Sequence, residues 1–385
     1  MLSDNGVPRY VFLCNSPLQV LNAYEARHHF NLEQGDCVLV IVPLSQNLDS
    51  LIRVSKLQPW AEIILTPPRP AAALLKISGL WSYLCQRAAY IRCWQKDLRI
   101  YRGRVAVFLA YTSLEDTRVM AAWLRPENIM YLDDGTLTAT VLDWLKLKGG
   151  TLSFWERTKR PVSDIVYSPS AVFSLRFARR ILQLLRGWLR SYVLSCQARY
   201  FGIRSGLSFP FKIFTVYANE DSGCLVRNER RYVRSLMQEK FLDAGLVHFL
   251  GAPLVERGLV DKHIYFRWLR QVKKFFAGRI VTYVPHPAES DGFVRELIEN
   301  TGLQSVRFKM PYEVVFATSD MAPSAVSSWF CSALENILDF DVPEIELVAF
   351  RVRGLSSGST DIRQAAEDFY LRHAINSRIC VQPLM

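Results

Sequence analysis

Short apolar runs separated by longer amphipathic segments organise this chain. Residues 9–14 (RYVFLC), 37–42 (CVLVIV), 62–65, 105–109 (VAVFL) and 128–132 (NIMYL) read as strands. Such short, nearly unbroken apolar runs suit strands covered on both faces of a parallel sheet. Residues 18–29 and 48–55 carry helical spacing between them. The second half repeats the logic, with strands at 211–217 (FKIFTVY), 247–250, 279–284 and 344–350. Helices are expected at 261–276, 292–300, 311–318, from 332 onward, and at 361–373, while 323–328 reads as a turn or a strand. Strands alternating with helices predict an α/β protein. At 385 residues the chain is too long for one ordinary core. Two consecutive Rossmann-like domains are therefore expected, 1–205 and 206–385, with the strand at 211–217 opening the second.

Charge adds a partner to this picture. The formal net charge of +11 points to a nucleic acid, a membrane surface or an anionic substrate. Residues 165–219 hold eight Arg or Lys and no acid. Within them, 173–199 interleaves Arg176, Arg179, Arg180, Arg186, Arg190 and Arg199 with Leu, Ile, Trp and Tyr. Residues 70–104 are similar, with Trp81, Tyr83, Tyr90 and Trp94 among the basic residues and only Asp97 against them. Basic amphipathic helices with aromatic residues suit an anionic membrane interface. A solvated helix face whose other side packs on a core gives the same pattern. No recognised nucleic-acid module is present, so nucleic acid is not the expected partner.

The eight cysteines form no C-x-x-C pair and no Cys/His cluster at zinc spacing, which is the usage of a reducing compartment. The first residues lack a charged-then-apolar leader, and no stretch of 18 residues is free of charge. The expectation is a cytoplasmic protein, peripheral on the inner face of a bacterial plasma membrane.

Three places carry candidate chemistry. In Tyr131-Leu-Asp-Asp-Gly-Thr136, two carboxylates follow a strand and Gly135 permits a tight turn. Adjacent carboxylates repel, which raises a pKa toward that of a proton acceptor; a polar β-turn uses the same residues. Asp133 and Asp134 are not an Asp-x-Asp pair, so no metal is inferred. His286 sits between Pro285 and Pro287 at the end of a strand, where the backbone has little freedom and where open α/β sheets bind ligands. Downstream, Glu313 lies at a helix start, and Ser327, Ser328, Cys331 and Ser332 surround another. Helix N-termini with hydroxyl groups suit a phosphate, and they equally suit capping by serine.

Together these residues resemble the bacterial sialyltransferases of the GT-B type, the lipooligosaccharide sialyltransferases and capsule polysialyltransferases. The resemblance rests on Asp133-Asp134-Gly135, His286-Pro287, Cys331-Ser332, the loop Asn15-Ser16-Pro17-Leu18-Gln19, and the segment 249–256 (FLGAPLVE). It implies a GT-B fold, two Rossmann-like domains facing a central cleft, with CMP-sialic acid as donor and a cell-surface glycan as acceptor. One Asp of the pair would be the base on the acceptor hydroxyl, and His286 the acid assisting departure of CMP. Glu313 would hold the ribose hydroxyls and Ser332 the phosphate, with Ser327, Ser328 and Cys331 nearby; Asn15, Ser16, Gln19, Gly135 and Pro287 would shape the substrate loops. No cofactor or metal is implied, and a homodimer is compatible with it. Two departures stand out: Cys331 is a weak hydrogen-bond partner at the first position of a Ser/Thr pair, and Ala288 stands where a basic residue often follows His-Pro. The alternatives are a transferase using another nucleotide sugar, such as CMP-Kdo, and a membrane-associated relative without turnover.

Overall fold

The computed structural model describes residues 9–43, 48–68, 70, 77–110, 115–133, 151–153, 196, 199–203, 208–216, 218, 221, 223–237, 240–342, 344–352, 354–355, 360–375 and 377–384. The chain forms two α/β units, Met1–Asn228 and Glu229–Met385.

The first unit contains β1 (Tyr10–Cys14), α1 (Pro17–His29), β2 (Cys37–Ile41), α2 (Leu48–Ser55), β3 (Glu62–Leu65), α3 (Ile77–Leu98), β4 (Ala106–Ala110), α4 (Glu115–Leu124) and β5 (Ile129–Leu132). The short β6 (Thr151–Ser153), then β7 (Ser208–Thr215) and β8 (Leu225–Arg227), complete it. The sheet order is β3-β2-β1-β4-β5-β7-β6, with β8 also beside β7. All pairs are parallel except β6 with β7. Every residue of β2 is buried, as its apolar run requires. On one face Val11, Leu13, Val38 and Val40 meet Tyr90 and Trp94 of α3, and Trp94 packs edge-to-face on Trp123 of α4 at 5.5 Å. On the other face Phe12 stacks on Phe108 at 4.3 Å.

Two expectations change here. Tyr83, Tyr90 and Trp94 are buried, while Arg92, Lys96 and Arg99 stay at the surface. Tyr83, Tyr90 and Trp94 thus serve the core. Each ring gains more from packing against the sheet than from a wet flank. Trp81 lies in α3, Arg176, Arg179, Arg180, Arg186 and Arg190 lie outside the described residues, and Arg199 is exposed. Among the described residues no helix is long and apolar enough to cross a membrane. The second correction concerns the join. The strand expected to open the second domain is β7, which pairs with β5 from Ile129↔Phe211 to Leu132↔Phe214. The first unit therefore extends past the expected boundary at 205 to Asn228.

The second unit contains α5 (Arg231–Met237), β9 (Phe241–Leu250), α6 (Lys262–Phe275), β10 (Ile280–Val284), α7 (Asp291–Thr301), β11 (Gln304–Ser305), α8 (Tyr312–Thr318), β12 (Met321–Ser328), α9 (Ser332–Asp339), β13 (Glu346–Arg351), α10 (Thr360–Arg372) and β14 (Ile379–Pro383). Its all-parallel sheet runs β11-β10-β9-β12-β13-β14. The chain builds outward from β9 to β11, then crosses back to lay β12 on the other side of β9. Loops leaving the carboxyl ends of β9 and β12 diverge at this reversal, which is where a doubly wound sheet opens a crevice. Residues 323–328, read from sequence as a turn or strand, are the buried end of β12. The fully buried rings of Phe249, Tyr265, Phe266, Tyr283 and Trp329 form the core beneath that crevice.

Candidate active site

His286 follows β10, next to the reversal point. A turn fixes it. The Glu289 N–H donates to the His286 carbonyl at 2.9 Å, closing four residues with Pro287 at the second position, the place proline's φ favours. The Ala288 N–H donates to His286 Nδ1 at 3.1 Å. A backbone N–H can only donate, so Nδ1 accepts and the neutral ring carries its proton on Nε2. Burial pushes the imidazole pKa below its usual value, and the Arg257 charge pushes it the same way. His286 is thus a neutral ring with Nε2–H as its donor. Arg307 braces the loop from below, donating to the carbonyls of Glu289 at 2.8 Å and His286 at 3.5 Å and pairing with Asp291 at 3.2 Å.

Glu289 escapes a sequence reading because carboxylates in Pro-rich loops are usually solvated. Here it is 3% exposed. Its Oε2 accepts the His286 N–H at 2.7 Å and its Oε1 accepts the Tyr283 O–H at 2.8 Å. The Tyr283 hydroxyl lies 3.0 Å from that of Tyr265, which accepts from Trp329 Nε1 at 3.0 Å. A line of polar atoms therefore runs through the aromatic core from the end of β12 to the backbone of His286. Burial pushes the Glu289 carboxyl up to about 7.

Glu313 lies close enough to Cys331 for its charge to be felt there, and Ser332 follows Cys331 in the chain. Cys331 is the N-cap of α9, its Sγ accepting from Ala333 N at 3.3 Å; Ser332 is the first helical residue and half-buried. Burial, with the Glu313 charge close by, pushes the Cys331 thiol up to about 12, so it is no thiolate nucleophile near neutrality. Glu313 is buried at the start of α8. Its Oε1 accepts from Asn336 Nδ2 at 3.0 Å, and Asn336 Oδ1 accepts from Arg230 at 3.2 Å. Asn336 and Arg230 were not anticipated. Ser327 and Ser328 are 0% exposed inside β12, and the Ser328 hydroxyl donates to Leu250 O at 2.8 Å. Both serines therefore lie buried at the carboxyl end of β12, between β9 and β13.

In the first unit, the loop after β1 is a capping arrangement. Ser16 Oγ accepts from Gln19 N at 3.3 Å, and Gln19 Oε1 accepts from Asn15 N at 2.9 Å. This is a variant of the Ser-x-x-Gln capping box, so Asn15, Ser16 and Gln19 start α1 at the carboxyl edge of the sheet. One turn on, Asn22 Nδ2 donates to the Asp133 carbonyl at 2.9 Å. Asp133 itself is 2% exposed, and its Oδ2 accepts from Val216 N at 2.8 Å. It ties the end of β5 to the end of β7. Asp134 and Gly135 lie outside the described residues.

A cavity of about 710 Å³ in the second unit lies beside α6 and is lined by Leu259, Asp261, Arg267, Trp268 and Gly354 among others. None of its lining residues is His286, Glu313 or Ser332.

No family model and no curated protein sequence matches the chain. The backbone is similar to a number of solved structures, among them the following. A UDP-GlcNAc 2-epimerase from Neisseria meningitidis bound to UDP-GlcNAc has a TM-score of 0.45 at 8% identity, over 98% of this chain and 88% of that one. An E. coli heptosyltransferase with ADP-2-deoxy-2-fluoro heptose has a TM-score of 0.42 at 12% identity, over 97% and 92%. A UDP-glucosyltransferase from Polygonum tinctorium has a TM-score of 0.42 at 13% identity, over 97% and 85%. Likenesses this distant assign no activity.

Proposed function

We propose that this chain is an inverting glycosyltransferase that moves sialic acid from CMP-sialic acid to a hydroxyl of a lipooligosaccharide or capsular glycan. The observation that carries the reading is His286. It is held by its own turn at the carboxyl end of β10, with Nδ1 occupied by Ala288 N–H and Nε2–H left to face a ligand. The start of α9 at Ser332 offers N–H groups and a hydroxyl to a phosphate, and Glu313 stands beside it.

In this reading the acceptor oxygen attacks the anomeric carbon opposite the phosphate. The bond to the phosphate oxygen breaks and CMP leaves with its electron pair. The acceptor proton passes to a carboxylate of the Asp133/Asp134 pair. Burial of Asp133 and its bond to Val216 N give it a positioning part and leave the proton transfer to Asp134. His286 stabilises the departing phosphate as a neutral Nε2–H donor rather than as an imidazolium, because its pKa is lowered and Nδ1 already accepts. A donor aimed at developing charge in a water-poor site is worth about 100- to 1,000-fold in rate. Exposed basic residues, Arg92 and Arg99 on the first unit among them, would hold the enzyme at an anionic inner membrane face beside its acceptor.

The test is release of free nucleotide from a donor panel comprising CMP-sialic acid, CMP-Kdo, UDP-GlcNAc and an ADP-heptose, with galactose-terminated and sialylated acceptors. CMP release from CMP-sialic acid, reduced about 100-fold or more in His286→Asn, is the expected result. Release from CMP-Kdo alone would move the donor. Silence across the panel would overturn the proposal.

A further inference from the structure

The buried carboxylate of Glu289 has no part in the reaction just described, yet each of its oxygens accepts a hydrogen bond. We propose that Glu289 is a positioning residue that acts through His286, holding the histidine's backbone and ring in the orientation that aims Nε2–H at the leaving group. This rests on the proposed function for its consequence in turnover, and on geometry alone for its consequence in the histidine ring.

Three observations carry it. First, both carboxylate oxygens are spent on donors of opposite kinds: the backbone N–H of His286 at 2.7 Å and the hydroxyl of Tyr283 at 2.8 Å. A carboxylate bonding the first residue of a turn from its fourth closes the turn a second time, over the backbone bond of 2.9 Å. That leaves the His286 backbone little room to rotate the ring away. Second, the anchor behind Glu289 is rigid. Tyr283 and Tyr265 are 0% exposed, and Tyr265 is fixed by Trp329 Nε1 at 3.0 Å. Third, the chain has made space for it. A Cβ on Gly251 would stand 2.7 Å from Glu289 Oε2 and 2.6 Å from Tyr283 Cζ, so the end of β9 must be glycine for the carboxylate to occupy this place.

The line Glu289–Tyr283–Tyr265 also has two hydrogen-bond directions. With the carboxylate ionised, Tyr283 donates to it. With the carboxyl protonated, its O–H donates to Tyr283, Tyr283 donates to Tyr265, and Tyr265 donates to Ala252 O, 3.3 Å away. The carboxyl takes one proton from solvent at Oε1, the two tyrosine hydroxyls reorient, and Oε2 keeps the His286 N–H in both. The charged groups facing this carboxyl are Glu256 in the loop after β9 and Arg307 after β11, itself paired with Asp291, while the Arg257 charge acts on the His286 ring. The backbone of His286 is therefore held by a carboxyl whose charge changes near neutral pH, at about 7.

The experiment compares Glu289→Ala, Glu289→Gln and Tyr283→Phe in the full chain. Nucleotide release from CMP-sialic acid is followed from pH 5 to 9. In parallel, long-range 1H–15N spectra of histidine-labelled protein report the His286 ring, assigned with His286→Asn. Glutamine keeps an oxygen for His286 N–H and an NH2 for Tyr283, so it mimics the protonated acid. The expected results are a fall in kcat of about 10- to 100-fold for Glu289→Ala with KM for the donor within about twofold. Its His286 signals leave the pure Nε2–H pattern. Glu289→Gln keeps that pattern and most of kcat but loses the step near pH 7 in both readouts. Glu289→Ala with unchanged His286 signals and an unchanged pH profile would overturn the proposal, whatever happens to its melting temperature. If wild type turns over no sialyl donor, the function fails by itself and the ring signals still decide the positioning.

Discussion

Gly251→Ala tests the buried network by steric means. The added methyl would meet Tyr283 Cζ at 2.6 Å and Glu289 Oε2 at 2.7 Å, and the Tyr283 hydroxyl closer still. These lie well inside ordinary contact distances. Neither neighbour can retreat cheaply: Tyr283 is fully buried and stacks on Phe249 at 6.1 Å and 16°, and Glu289 is pinned through both oxygens. Overpacking of this kind costs about 1–3 kcal/mol, and displacing a buried charge-assisted hydrogen bond costs about 1–3 kcal/mol more. A net loss of about 3 kcal/mol is expected, because part of the strain and the lost bond share one movement. For a unit of this size that lowers Tm by about 6–12 °C, read by calorimetry on the full chain. The His286 amide should exchange faster with solvent, since Glu289 Oε2 can no longer hold it. In a double-mutant cycle, Glu289→Ala should relieve part of the clash, giving a coupling of about 1 kcal/mol or more. A Gly251→Ala protein that melts within a degree of wild type, with His286 N–H exchange unchanged, would refute this packing.

Further outcomes follow from the same contacts. Because Glu289 titrates at about 7 when folded, against an ordinary value of 4.5, the folded state prefers its neutral form. Its contribution is fully present below pH 4.5 and lost as pH rises through about 7, a change of about 3 kcal/mol relative to Glu289→Gln; urea titrations of both proteins at pH 4.5 and 8 measure it, and parallel pH curves would contradict it. Cys331→Ser replaces a weak sulfur cap on α9 with a strong one and should stabilise the second unit by about 0.5–1 kcal/mol without raising KM for the donor; denaturant unfolding and donor kinetics check both. Asp133→Ala leaves Val216 N–H without its carboxylate and should cost the first unit about 1–3 kcal/mol. Asp134→Ala should lower nucleotide release by about 100-fold or more, and unchanged release would return the proton transfer to Asp133.

The architecture was legible because buried parallel strands write themselves as apolar runs. Val38 to Ile41, Val107 to Ala110 and Val281 to Val284 need no partner to be recognised, and the prolines around His286 mark a strand end before any sheet is known. Ser16 and Gln19 likewise announce a helix start locally. What depended on pairing was not legible. Phe211 to Thr215 reads the same whether it closes one sheet or opens the next, and only its bonds to β5 put it in the first unit. Ser327 and Ser328 look like ligand hydroxyls in a Ser-rich segment, yet both lie inside β12, flanked by β9 and β13. Tyr83, Tyr90 and Trp94 look like an interfacial belt, yet they face the core.

Glu289 is the clearest case. The sequence by itself determined that a histidine would be held rigidly after a buried strand, because proline restricts φ wherever it stands. Only the tertiary structure decided what holds it. Gly251, Tyr265, Tyr283 and Trp329 come from four separate segments, and hydrogen-bond partners distant in sequence leave no periodic trace in it. Whether a carboxylate three residues past the histidine is solvated or buried depends on those partners, and with it whether the group titrates as an ordinary acid or near neutrality.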